Sequence, residues 1–170
     1  MTHSMKKLNF GSGQDIKKDW INVDITPFKG VDKNFDFNVF PYPFKENDFD
    51  EIYTDNVLEH LNNIPQVMKE LHRITKPNGI IHIIVPYYNC FGAYNDVTHT
   101  HYFSHLSFEP FYKPDTRGNY FIKEKFALKK IKFVPTRFGK IFLFDFIRLP
   151  LSFIFGQIIQ TIDITLIVLK

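Results

Sequence analysis

A single cysteine, Cys90, stands in a chain of 170 residues. No disulfide can form within it, and a reducing compartment such as the cytoplasm is the expected setting. Metal motifs built on cysteine pairs are excluded for the same reason. The chain has no internal repeat and no low-complexity linker, so residues 1–170 read as one domain. It has no uninterrupted membrane span either. Residues 141–160 are nearly all apolar, but Asp145, Arg148 and Pro150 break the run. The opening Met1-Thr2-His3-Ser4 is polar, so no signal peptide is expected there. Basic residues are spread out and match no nucleic-acid-binding module, so no nucleic acid partner is expected.

Aromatic residues are plentiful, with 20 Phe and 8 Tyr. Much of the core or of a binding surface should therefore be aromatic. The net charge of +3 hides an asymmetry. Residues 1–110 hold 10 basic and 14 acidic side chains, net −4, whereas residues 111–170 hold 11 and 4, net +7. The last third suits an anionic partner or is simply a solvated basic face.

Short apolar runs at Leu8–Phe10, Ile21–Ile25 and Phe49–Thr54 read as strands, with a weaker one within residues 31–36. Ile64, Val67, Met68, Leu71 and Ile74 recur at helical spacing, which predicts a helix over Asn63–Thr75. Lys76-Pro77-Asn78-Gly79 stops it, and Ile80–Val85 reads as a buried central strand. Phe126–Val134 and Ile164–Leu169 are two later strands. Strands alternating with helical segments predict a parallel sheet. Residues 141–160 predict a helix with Asp145, Arg148, Ser152, Gly156 and Gln160 on one stripe. It would pack on the sheet or form a homodimer contact, lie at a membrane surface, or cross a membrane as a distorted span.

The chemistry concentrates in the order of several pieces. Leu8-Asn9-Phe10-Gly11-Ser12-Gly13 ends a first strand in a glycine turn, where backbone can approach a ligand closely. Asp24 ends the second strand, where a carboxylate can accept hydrogen bonds from a ribose diol. The pair suggests an adenosine-containing cofactor, although a plain turn and a strand-ending Asp give the same letters. About ten residues separate Gly13 from Asp24, short for a crossover helix. One helical turn near Gln14–Lys18 is expected in its place. Then come Asp36-Phe37-Asn38, Pro43-Phe44-Lys45-Glu46-Asn47-Asp48-Phe49-Asp50-Glu51-Ile52, Leu58-Glu59-His60 and Ile74-Thr75-Lys76-Pro77-Asn78-Gly79.

With these motifs in this order, residues 6–105 resemble the class I S-adenosylmethionine-dependent methyltransferases, in particular their small type 11-like branch. The resemblance implies an α/β three-layer sandwich of Rossmann-like kind, a mostly parallel sheet with an antiparallel last strand and here a shortened first crossover. It implies S-adenosyl-L-methionine as cofactor. Gly11 and Gly13 would contact its methionine moiety, Asp24 its ribose, and Asp36 and Phe37 its adenine. Asn56, Val57 and His60 would lie beside the sulfonium, although His60 also reads as a structural histidine. The third small residue of the glycine turn is missing, since Gln14 and Asp15 follow Gly13. That departure leaves a catalytically degenerate binding or scaffold protein as the alternative. It also argues against a nicotinamide-dependent oxidoreductase, as do the Leu58-Glu59-His60 and Lys76-Pro77 motifs.

After the central strand comes Asn95-Asp96-Val97-Thr98-His99-Thr100-His101-Tyr102-Phe103-Ser104-His105. The branch it resembles often has Asp-Pro-Thr-His here, and Asp96-Val97-Thr98-His99 departs only at the proline. Position past a strand's carboxyl end would put this loop over the reactive methyl. A protonated oxygen or nitrogen acceptor benefits from a base, and histidine suits that work. His99 is the first candidate and His101 the second, with Asp96 orienting one of them. Structural hydrogen bonding and a metal set drawn from Asp96, His99, His101 and His105 remain rivals, and no metal ligand is assigned. The acceptor expected is a small molecule or a glycan hydroxyl or amine.

Overall fold

The computed structural model describes residues 4–113 and 122–170. Residues 1–3 of the opening Met1-Thr2-His3-Ser4, on which the expectation about a signal peptide rests, lie outside the described residues. Seven strands form one sheet: β1 (Lys7–Phe10), β2 (Ile21–Asp24), β3 (Lys33–Asn34), β4 (Phe49–Asp55), β5 (Thr75–Pro86), β6 (Lys125–Pro135) and β7 (Ile159–Leu169). Their order is β3-β2-β1-β4-β5-β7-β6. The first five pair in parallel, and β7 runs antiparallel between β5 and β6. This is the mostly parallel sheet with an antiparallel last strand that the resemblance implies.

Helix α1 (Ile64–Ile74) forms where the spacing predicts it. The Asn63 side chain caps it by accepting from Gln66 N at 3.1 Å, and Pro65 sits in its first turn. Val67, Met68, Leu71 and Ile74 are fully buried. The sheet face carrying Leu8, Phe10, Val23, Ile52, Ile81, Ile83, Ile162 and Leu166 is likewise buried, and these side chains share one core with α1. Alternate residues Glu51, Tyr53 and His82 are half-exposed on the opposite face. Short helices α2 (Phe91–Tyr94) and α3 (Glu109–Tyr112) follow β5. Among the described residues, no helix is long and apolar enough to cross a membrane.

The first crossover is short, as expected, but the helical turn near Gln14–Lys18 does not form; only turns and bends occur there. Side-chain amides do the fastening instead. Asn9 and Asn22 lie opposite each other in the β1–β2 register. Asn9 Nδ2 donates to Asn22 Oδ1 at 2.9 Å and to Asp15 O at 2.8 Å. Asn22 Oδ1 accepts from Lys17 N at 2.9 Å, and its Nδ2 donates to Lys17 O and Trp20 O. Both asparagines are buried, and these bonds occupy the Nδ2 group of each and the Oδ1 of Asn22.

Two other expectations change in detail. Strand β5 begins at Thr75 rather than Ile80, because Thr75 pairs with Phe49 before the register shifts and Ile80 pairs with Glu51. A Cβ on Gly79 would lie 2.5 Å from Thr75 Cγ2 and 3.1 Å from Asp50 O, so the offset needs glycine there. The helix expected over 141–160 covers only α4 (Asp145–Ile154). From Ile159 the β-branched residues extend as β7, five residues earlier than the sequence pattern suggests. Of the expected polar stripe, only Asp145, Arg148 and Ser152 lie in α4, where Ser152 is buried, Arg148 half-buried and Asp145 exposed, and Gly156 and Gln160 fall beyond it. Arg148 pairs with Asp145 at 2.8 Å, and buried Ser152 donates to Leu149 O. Phe146, Phe153 and Ile154 point outward.

Candidate active site

The carboxyl ends of β1, β2 and β4 open into a hollow of about 510 Å³. It is lined by Gly11, Gly13, Asp24, Asp36, Phe37, Asn56, Val57 and His60, all eight residues expected around a cofactor. A few hundred cubic ångströms is the usual scale for such a ligand. Gly11 and Gly13 adopt φ of +75° and +50°, where glycine is the unstrained choice. A Cβ on Gly11 would sit 2.2 Å from Val57 Cγ2, whereas one on Gly13 would meet nothing within 4 Å.

The turn is fastened inward. Gly11 N and Ser12 N both donate to Val23 O at 2.9 Å, and Gly13 N donates to Asp24 Oδ2 at 2.7 Å. These three amides therefore hold the turn to β2 and do not reach out to a ligand. The glycines supply room instead. Asp24 also accepts from Thr26 N at its Oδ1, 2.9 Å. Each of its oxygens keeps a second lone pair for a hydroxyl. Phe37 is 4% exposed and stacks on Phe10 with centroids 3.9 Å apart, so it is core as well as wall. Asp36 turns its Oδ1 to Asn38 N at 2.8 Å.

Asn56 follows β4 in the left-handed region, φ +52°, a conformation asparagine tolerates. Its N–H donates to Ile84 O at 3.0 Å. This bend carries the chain into a 3-10 turn at Leu58–His60. A second hollow of about 490 Å³ opens beyond it, lined by Asn56, Glu59, His60, Asp96, His99, Gln160 and Thr161 among others. The two hollows share Asn56 and His60.

The histidine loop is tied to this junction by backbone. Thr100 N and His101 N donate to Glu59 O at 2.8 and 3.2 Å. His99 thereby reaches the second hollow, with a side chain only 7% exposed. Asp96 also lines the second hollow, but its Oδ1 is engaged by Thr98 N and Thr98 Oγ1 at 2.9 and 2.6 Å. Those bonds hold its carboxyl below the usual range. His101 is not brought here. It lines a separate, mostly apolar hollow with Ile64, Phe103 and Phe111.

Glu59 is the residue that sequence reading passed over. It is 1% exposed, and neither of its carboxylate oxygens has a hydrogen-bond partner among the described residues. Burial pushes its carboxyl up to about 7. Burial, with His99 close by, holds the His60 imidazole below its usual range. The His60 and His99 rings meet edge to face at 4.7 Å, and His99 Nε2 lies 4.0 Å from Glu59 Oε1. An acid flanked by buried Leu58 and a histidine was the available signal.

The Pro43–Ile52 and Glu70–Gly79 motifs serve the frame. Buried Glu70 accepts from Arg73 Nε and Nη2 at 3.0 and 2.7 Å and from Tyr42 N at 2.7 Å. Arg73 also donates to Phe44 O and Tyr42 O. Lys76 pairs with Asp50 at 2.7 Å.

A sequence model of the family described as "Methyltransferase domain" matches residues 13–83. An uncharacterized protein of Methanocaldococcus jannaschii is 34% identical over 83 residues. That match covers 45% of this chain and only 36% of the relative, so it spans about a third of the relative's length. A solved S-adenosylmethionine-dependent methyltransferase of Archaeoglobus fulgidus superposes with a TM-score of 0.68 at 17% identity, covering 97% of this chain and 86% of that one. A structure from Haloferax volcanii, a complex that contains the Trm112 methyltransferase activator, gives 0.61 at 13% identity, covering 98% and 83%. At such identities the likeness speaks for the fold. Together with the methyltransferase-domain match over residues 13–83, it gives the chain the fold of the class I S-adenosylmethionine-dependent methyltransferases.

Proposed function

We propose that the chain transfers the methyl group of S-adenosyl-L-methionine to a hydroxyl or amine of a small molecule or glycan. One observation carries the reading: the eight residues expected around the cofactor line one hollow, and this hollow meets a second at Asn56 and His60. Adenosine and methionine fit the first, with Asp24 accepting from the ribose. The sulfonium methyl then points across the junction to an acceptor in the second. Transfer is an in-line displacement. The acceptor oxygen or nitrogen bonds to the methyl carbon, the S–CH₃ bond breaks, and its electron pair stays on sulfur as S-adenosylhomocysteine. The acceptor's proton leaves toward Glu59 and His99, the buried groups that face the same space.

The test is calorimetric titration with S-adenosylhomocysteine. Wild type is expected to bind in the micromolar range, about −8 kcal/mol. Asp24→Ala is expected to bind at least tenfold more weakly, having lost charge-assisted hydrogen bonds. No heat at millimolar ligand, in protein whose circular dichroism is native, overturns the reading. The binding-or-scaffold alternative is favoured by the inward-turned amides of Gly11, Ser12 and Gly13. It predicts S-adenosylhomocysteine binding without methyl transfer to any acceptor in a panel of phenols, sugars and amines.

We also read the outward apolar side of residues 138–155 as a contact surface for a second copy of the chain. Leu143, Phe146 and Ile154 are each about three-quarters exposed, and large apolar side chains exposed near one another in the chain are the mark of an interaction surface.

A further inference from the structure

The structure assigns to Glu59, His60 and His99 a binding site for one divalent transition-metal ion, of the zinc, manganese or cobalt class, in the wall of the second hollow. One ligand atom from each lies within 4.8 Å of the others. Coordination bonds of about 2.0–2.2 Å would draw the widest pair inward by a small side-chain rotation.

The hydrogen bonds around the cluster fix which nitrogens are free. His99 Nδ1 faces Ala93 O at 2.9 Å, and a carbonyl oxygen only accepts. Nδ1 therefore carries the proton, and Nε2 keeps its lone pair. Thr98 has one hydroxyl proton, which goes to Asp96 Oδ1 at 2.6 Å. His60 Nδ1, 2.9 Å from Thr98 Oγ1, must then be the donor of that pair. Its Nε2 lone pair is free as well. Two imidazoles are thus held by outer partners in the tautomer that ligates metals through Nε2.

The carboxylate supplies an independent observation. Glu59 is 99% buried, and both its oxygens lack a partner among the described residues. A buried polar group without a partner is costly, and an ionised one more so. A cation beside it removes that cost, and the neighbouring His60 and His99 supply the remaining protein ligands. Two imidazoles and one carboxylate are a known donor set for zinc and for non-haem iron, and both leave positions open. Those positions would face the hollow lined by Asp96, Gln160 and Thr161.

Ion binding stands on this geometry alone; its role rests on the methyl-transfer reading. An acceptor hydroxyl on the ion would ionise more readily, its proton passing to water in the open hollow. The oxygen then takes the methyl carbon as above, and His99 acts as ligand instead of proton acceptor.

The test uses tag-free protein freed of metal with EDTA and titrated with Zn²⁺ and Mn²⁺, with the visible spectrum of added Co²⁺ as a second reading. One ion per chain is expected. Glu59→Gln and His99→Ala are expected to bind it about 100-fold more weakly or worse, because each removes a ligand atom. His101→Ala, outside the cluster, keeps wild-type affinity. Circular dichroism of every variant reports whether it is folded, and His60→Ala replaces any variant that is not. Ion binding that survives both ligand substitutions overturns the site. So does wild-type protein that takes S-adenosylhomocysteine but no ion, the outcome expected if Glu59 and His99 only exchange a proton. Ion binding without S-adenosylhomocysteine binding would instead sink the methyl-transfer reading and leave the metal site standing.

Discussion

Gly11 and Gly13 differ by a measurable amount, although their letters look equivalent. Both have positive φ, which costs a residue with a Cβ roughly 1–2 kcal/mol. Only Gly11 is also crowded, with Val57 Cγ2 at 2.2 Å from its would-be Cβ. Val57 is buried and β-branched, so it has little freedom to turn away. Gly11→Ala is therefore expected to lose about 2–4 kcal/mol by urea denaturation, from backbone strain plus overpacking. Gly13→Ala is expected to lose about 1 kcal/mol. Equal losses would remove the crowding argument. The displaced Val57 would also enter the cofactor hollow, so Gly11→Ala should weaken S-adenosylhomocysteine binding more than Gly13→Ala does.

Helix α1 anchors the loop from Phe40 to Phe44 through one clasp. Burial by itself raises the Glu70 carboxyl, but the hydrogen bonds from Arg73 and Tyr42 N and the Arg73 charge outweigh it and hold it below the usual range. A carboxyl lowered in the folded state stabilises fully above its unfolded pKa, near 4.3. That contribution is lost as pH falls through the lowered folded value. Thermal melts of wild type should therefore lose stability below about pH 4.5 more steeply than those of Glu70→Gln. At pH 7 the substitution is expected to cost roughly 2 kcal/mol, the scale of hydrogen bonds to a charged group. Parallel acid profiles would sink this account. Elements of this kind were largely legible in the sequence. The spacing of Ile64 to Ile74 marks α1, and the run from Ile80 marks β5, because apolar periodicity reports burial directly. The start of β7 at Ile159 was not, because β-branched residues in an apolar run fit a buried helix as well as a strand. Nor was the destination of the turn amides, which depends on Val23 O and Asp24 from another strand. The hollow's eight residues were named in advance by motif order. Glu59 and the displacement of His101 needed the fold, since neighbours in the chain diverge into separate hollows.

At the scale of the molecule, the outward side of α4 is the feature that calls for a partner. A second copy would cover Phe146, Phe153 and Ile154, and light scattering should then give twice the mass of 20.2 kDa. Phe146→Glu with Ile154→Glu should restore the single-chain mass without changing S-adenosylhomocysteine affinity. A single-chain mass for wild type, with flotation on anionic vesicles, would give that surface to a membrane instead. The Asn9–Asn22 pair matters at this scale too. It secures the segment from Gly11 to Trp20 by side-chain amides where no helix is present to contribute an apolar face. Amide bonds exposed by a brief opening are quickly satisfied by water, whereas an uncovered apolar face is not. One side of the ligand chamber is therefore expected to lift and reseat while the sheet beneath stays whole, an entrance for the nucleoside that faster amide hydrogen exchange over residues 14–20 than in β1 would reveal.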